Sequence, residues 1–156
     1  YFGSAFERQC LKRFAHEKAL GGFVDELPHA GGTVRVTSIE RTLVDVLDRP
    51  DLGGGWEEIW RSLESVEFFK LNDVVSYALK LGSALTIARV GFFLEQHRDA
   101  LFVTEEHLAP LREQRPKQLR YFDEQRERGQ RVSGWNLIVP ERIIKRTWEE
   151  EAVVDA

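Results

Sequence analysis

The stretch Thr37 to Pro50, TSIERTLVDVLDRP, constrains the fold more than any other part of the chain. Thr37 is a helix-capping residue type, and Glu40 three positions on completes a capping box, in which each side chain serves the other residue's backbone N–H. Ile39, Leu43, Val46 and Leu47 then fall on one helical face, and Pro50 cannot continue the helix. The opposite face carries Arg41, Asp45 and Asp48, with Arg41 and Asp45 spaced as an i,i+4 pair, which reads as a solvated face. Glu40 lies angularly between Val44 and Leu47, near the buried edge, where a carboxylate needs a cation. Arg89 has the matching need, because it stands in the apolar run Thr86-Ile87-Ala88-Arg89-Val90-Gly91-Phe92-Phe93. Glu40 and Arg89 are therefore expected to form a structural ion pair between the first and fourth helices.

Further helical stripes follow. Gly53-Gly54-Gly55 makes a joint before Trp56, Ile59, Trp60 and Leu63, a heavy aromatic face whose spacing is that of a core helix. Leu71, Val74, Val75, Ala78 and Leu79 form the third stripe, stopped at Gly82. Ser83 starts the next, which carries Leu85, Ala88, Phe92 and Phe93 to about His97, and Thr104 caps a shorter segment with Leu108 and Leu111. Upstream of this block the chain looks extended. Phe14 leads to Ala19, then Gly22-Phe23-Val24 and Thr33-Val34-Arg35-Val36 flank the turn-rich Pro28 to Gly32, which reads as a hairpin. Downstream, Trp135 to Pro140 reads as a returning strand. The expected class is α+β: an N-terminal hairpin, a block of four to five helices, and a C-terminal strand.

One domain accounts for the whole chain, since 156 residues with 42% apolar content fill one sizeable core. Runs free of charge, such as Leu81 to Ala88, fall far short of the roughly 20 apolar residues of a membrane span, so a soluble chain without a membrane partner is expected. The single Cys10 cannot make an intrachain disulfide, which fits a reducing, cytoplasmic setting. The chain starts at Tyr1 and contains no methionine, which predicts residues upstream.

The residues that carry catalysis elsewhere are not arranged for it here. His16, His29, His97 and His107 have no metal-ligand spacing, so they read as surface residues and no metal site is expected. The carboxylates of Trp56-Glu57-Glu58 would repel a phosphate at the triple glycine. Asp51 and Glu57 are the only hint of a nuclease, without the lysine expected two residues after the acid. Cys10 has only a distant His16 as a base. No catalytic residue and no cofactor is assigned.

One charged segment stands out. From Arg112 to Arg131 the basic residues are Arg112, Arg115, Lys117, Arg120, Arg126, Arg128 and Arg131, against Glu113, Asp123, Glu124 and Glu127, a local balance of +3 in a chain of net −4. The segment is either a solvated mixed-charge helix or a docking stripe for DNA phosphates or an acidic partner, with Tyr121 and Phe122 as aromatic contacts.

Val34-Arg35-Val36-Thr37-Ser38-Ile39-Glu40-Arg41-Thr42-Leu43-Val44-Asp45, then Arg49-Pro50, the glycine joint and Ala88-Arg89-Val90-Gly91-Phe92-Phe93-Leu94-Glu95 resemble the C-terminal domain of AbiEi antitoxins. The Trp135 to Pro140 strand with Glu141-Arg142 is similar too, and the likeness covers about Gly22 to Glu150. The resemblance implies a type IV antitoxin that counteracts a nucleotidyltransferase-like toxin. It also implies a transcriptional autoregulator, in which a preceding winged helix-turn-helix domain binds promoter DNA; no such domain is read in these residues. Neither Gly3-Ser4 nor Gly82-Ser83 is followed by the paired aspartates of a nucleotidyltransferase, which places the chain on the antitoxin side. Two other classes fit the same pattern less well: the effector or dimerisation domain of a ligand-sensing repressor, and a divergent nuclease.

Overall fold

The computed structural model describes residues 23–149; the extended reading from Phe14 to Ala19, and Gly3, Ser4, Cys10 and His16, lie outside them. The described residues form an α+β fold. An antiparallel hairpin, β1 (Val24–His29) and β2 (Gly32–Thr37), precedes five helices: α1 (Ile39–Asp48), α2 (Trp56–Glu64), α3 (Leu71–Leu81), α4 (Ala84–Gln96) and α5 (Glu105–Glu113). A small mixed sheet closes the chain with β3 (Arg120–Tyr121), β4 (Gly129–Val132) and β5 (Leu137–Pro140), followed by the short helix α6 (Glu141–Lys145). The hairpin and the helical block follow the sequence-based expectation; the sheet is larger than the single returning strand expected.

The hairpin turns on Ala30 and Gly31, both at positive φ (47° and 80°), the two-residue geometry that matches the twist of paired strands. Its base is tied to the helical block by the Ser38 N–H, which donates to the Phe23 carbonyl at 2.8 Å. The N-cap of α1 is Ser38, one residue later than Thr37; the Ser38 hydroxyl accepts from the Arg41 N–H at 3.2 Å. Thr37 still ends β2, and its hydroxyl meets that of Thr42 at 3.0 Å.

Helix α1 is surrounded, and this overturns the reading of a solvated face. Leu43, Val44, Val46 and Leu47 are fully buried, but so are Arg41 and Asp45, while Ile39 is 40% exposed. The Arg41 guanidinium lies 3.4 Å from Asp45, which also accepts from the Tyr77 hydroxyl of α3 at 2.8 Å. Asp48 accepts from the Thr86 hydroxyl of α4 at 2.7 Å. A helical wheel assumes one buried face, whereas a helix packed against both α3 and α4 must bury polar residues and satisfy them.

The rest of the core is aromatic. Trp56 and Trp60 are buried, and the Trp60 ring meets those of Phe93 and Phe122 edge-on at 5.3 and 5.9 Å. The Trp60 indole donates to Gln96 at 2.7 Å, and the Gln96 amide donates to the Ile143 carbonyl at 3.0 Å, so one polar chain links α2, α4 and α6. Trp135 packs on α4 at Gly91, where an added methyl group would overlap the far edge of the indole. Its Nε1 donates to Glu95 at 2.7 Å. Gly91→Ala should therefore lose about 2 kcal/mol in urea unfolding, because overpacking a rigid indole outweighs the roughly 1 kcal/mol helix-propensity gain of alanine. A variant as stable as the parent would contradict this packing.

Candidate partner-binding surface

The expected Glu40–Arg89 ion pair does not form; each side chain is spent on backbone groups. Glu40 is buried and accepts from the Lys70 N–H at 2.9 Å, just before α3. It thus supplies from another helix the carboxylate that a capping box takes from its own third residue, and it suits the positive end of the α3 dipole. Arg89 is 3% exposed; it donates to the Phe122 carbonyl at 2.7 Å and to the Leu47 carbonyl at 2.9 Å. Its guanidinium carbon lies 5.1 and 5.6 Å from the centres of the Trp56 and Phe122 rings. Burial pulls Arg89 down to about 10, opposed by the carboxylates of Asp48, Glu124 and Asp123, so it remains charged at neutral pH. Arg89 is a joint between the end of α1 and the C-terminal sheet.

The Arg112 to Arg131 segment is not a helix beyond Glu113. It runs through a loop into β3 and β4, which flank the central β5: β3 pairs parallel with it and β4 antiparallel. Both are short edge strands, places where exposed charge is usual and where a helical charge pattern misleads.

Two of its seven cations are used internally. Arg112 pairs with Glu95 at 2.6 Å and with Glu105, and lies 5.4 Å above the Trp135 ring. Arg115 is half-buried and donates to the Arg112 carbonyl at 2.8 Å. Lys117, Arg120, Arg126, Arg128 and Arg131 are exposed, and among the described residues none of them has a carboxylate within ion-pair distance. The acids of the segment are used differently. Asp123 is buried and accepts from the Glu127 N–H at 3.1 Å, and Glu127 pairs with Arg142 at 3.0 Å. Of the four acids only Asp123 is buried; Glu113 and Glu124 are exposed, as are the five cations. Tyr121 is exposed among them, while Phe122, read as a second contact, is fully buried in the core.

The histidines divide likewise. His97 is buried, with one ring nitrogen 2.8 Å from the Phe93 carbonyl and the other 2.9 Å from Glu64, which corrects its reading as a surface residue. His107 accepts from the Thr104 N–H at 3.0 Å and so completes the cap of α5. A histidine at this capping position is outside the usual Glu or Gln pattern, although Thr104 three residues earlier marks the place. Among the described residues no group of three or more His, Cys, Asp or Glu side chains is placed to hold a metal ion. Asp51 and Glu57 pair with Arg49 and Arg61, at 3.5 and 3.0 Å. No helix among the described residues is long and apolar enough to cross a membrane.

Comparison with protein-family profiles, curated proteins and solved structures finds no match.

Proposed function

We propose that the chain is an antitoxin and transcriptional-autoregulator domain of AbiEi type, which counteracts a nucleotidyltransferase-like toxin in the cytoplasm without catalysis of its own. Its promoter recognition belongs to a separate winged helix-turn-helix domain. The observation that carries the reading is the division of labour within the molecule. Ser38, Glu40 and Asp45 of the Thr37 to Asp45 string are taken up in capping α1 and in bonding it to the start and middle of α3, while Lys117, Arg120, Arg126, Arg128 and Arg131, spread over the two edge strands and their connections, are exposed to a partner. The resemblance supplies the identity of that partner. Such charge complementarity steers association and selects partners more than it sets affinity.

The direct test is co-expression with the product of the adjacent gene, which this reading expects to have a nucleotidyltransferase fold. Growth arrested by that protein should resume when the chain is present; continued arrest at equal expression would sink the proposal. Promoter DNA should bind the 156-residue chain only weakly and through phosphates, with affinity falling steeply between low and physiological salt. Charge reversal of Arg120, Arg126 and Arg128 to glutamate should abolish the shift in a gel-mobility assay. Tight, sequence-selective, salt-resistant binding would instead place promoter recognition in this domain.

A further inference from the structure

The connection from β3 to β4 holds a cavity of about 490 Å³, within the roughly 300–1,000 Å³ range of small-molecule sites. Its apolar lining is Leu85 from the first turn of α4, Leu119 and the ring of Tyr121, the last two being 43% and 39% exposed. Arg120 and Arg126 also line it, and among the described residues neither has a carboxylate within ion-pair distance. Arg126 has a φ of 53°, a left-handed backbone conformation that non-glycine residues rarely adopt. In that conformation its guanidinium stands 6.0 Å over the Tyr121 ring. Asp123 and Glu124 also line the cavity; Asp123 is buried and accepts from the Glu127 N–H, whereas Glu124 is exposed.

We propose that this cavity binds a phosphorylated nucleoside. The base lies against Tyr121, Leu119 and Leu85, and the phosphate is held by the guanidinium groups of Arg120 and Arg126, whose planar forks match phosphate oxygens. Glu124 remains free to accept a hydrogen bond from a sugar hydroxyl or a base amine. An exposed aromatic ring beside arginines is also the way single strands are held, so the nucleotide is either free or one unit of a strand. The site goes beyond the antitoxin reading and does not rest on it.

The test is isothermal titration of the 156-residue chain with the four ribonucleoside 5′-monophosphates, the matching nucleosides, inorganic phosphate and a single-stranded hexanucleotide. At least one monophosphate should bind saturably, tenfold or more tighter than both its nucleoside and phosphate. Arg126→Gly should weaken it at least tenfold while thermal stability is kept, because glycine adopts this φ freely; Arg120→Gln should act similarly. Tyr121→Phe should bind as the parent does, and Tyr121→Ser should bind about tenfold more weakly. A hexanucleotide bound tenfold tighter than any monophosphate, and equally sensitive to Arg126→Gly, identifies a strand as the source; otherwise the ligand is the free nucleotide. Absence of saturable binding by every monophosphate and by the hexanucleotide would overturn the proposal. So would binding indifferent to Arg126→Gly, or phosphate alone binding as well as a nucleotide. Growth rescue in the toxin assay is scored separately, so either idea can fail alone.

Discussion

Arg89→Met should destabilise the domain by about 2–4 kcal/mol in urea unfolding, because two buried backbone carbonyls lose their donor at about 1–3 kcal/mol each, partly offset by relief of the buried charge. Methionine fills much of the space and removes the cost of burying a charge. It cannot serve the carbonyls of Leu47 and Phe122, which Arg89 bonds at 2.9 and 2.7 Å. These acceptors belong to the backbone, so no compensating substitution can take them away, and a buried acceptor left without a donor costs about 1–3 kcal/mol. The cation also lies against the faces of Trp56 and Phe122, a contact methionine only partly replaces. Arg89→Lys should lose less, since one ammonium group can still reach one carbonyl. A loss below about 1 kcal/mol for Arg89→Met would show that the carbonyls find other donors.

Trp60→Ala is the second large effect, about 3–5 kcal/mol for a fully buried tryptophan. The substitution opens a cavity bounded by Phe92, Phe93 and Phe122 and leaves the Gln96 side-chain oxygen without the indole N–H. Gln96 in turn holds the α6 carbonyls of Ile143 and Ile144, so the C-terminal end should loosen with the core. Trp60→Phe, which keeps an aromatic ring but not the hydrogen bond, should fall between. Calorimetry of both variants checks the order; equal stability of Trp60→Ala and parent would mean that Trp60 is not the keystone of the aromatic core.

The helical block was legible because several helix ends carry local punctuation. Ser83 caps α4, Thr104 caps α5 and Gly82 closes α3 in the left-handed conformation, as capping chemistry dictates. Arg41 and Asp45 were misread because periodicity reports which face is apolar, not how many neighbours a helix has. Glu40 and Arg89 were each recognised as needing a partner, but backbone groups can serve as partners and leave no mark in the sequence. The edge strands were hidden for a related reason. Arg120-Tyr121 and Gly129 to Val132 are short and polar, and they become strands only because Leu137 to Pro140 runs between them. The cationic face was half legible: the sequence counts charges, whereas the fold decides that Arg112 is paired with Glu95 while Arg120, Arg126 and Arg128 point outward.

The exposed cations of the C-terminal sheet are proposed to meet the partner, and the charge-reversed variant in the growth-rescue assay is the decisive experiment. Arg120, Arg126 and Arg128 are replaced together by glutamate, and folding of the variant is verified by its unfolding midpoint. Those residues are exposed and have no carboxylate partner among the described residues, so stability should change by no more than about 0.5 kcal/mol per site. If the face contacts the toxin, the folded variant should fail to restore growth beside the nucleotidyltransferase-fold protein, while the parent chain restores it. Full rescue by the folded variant would show that these cations do not meet the partner.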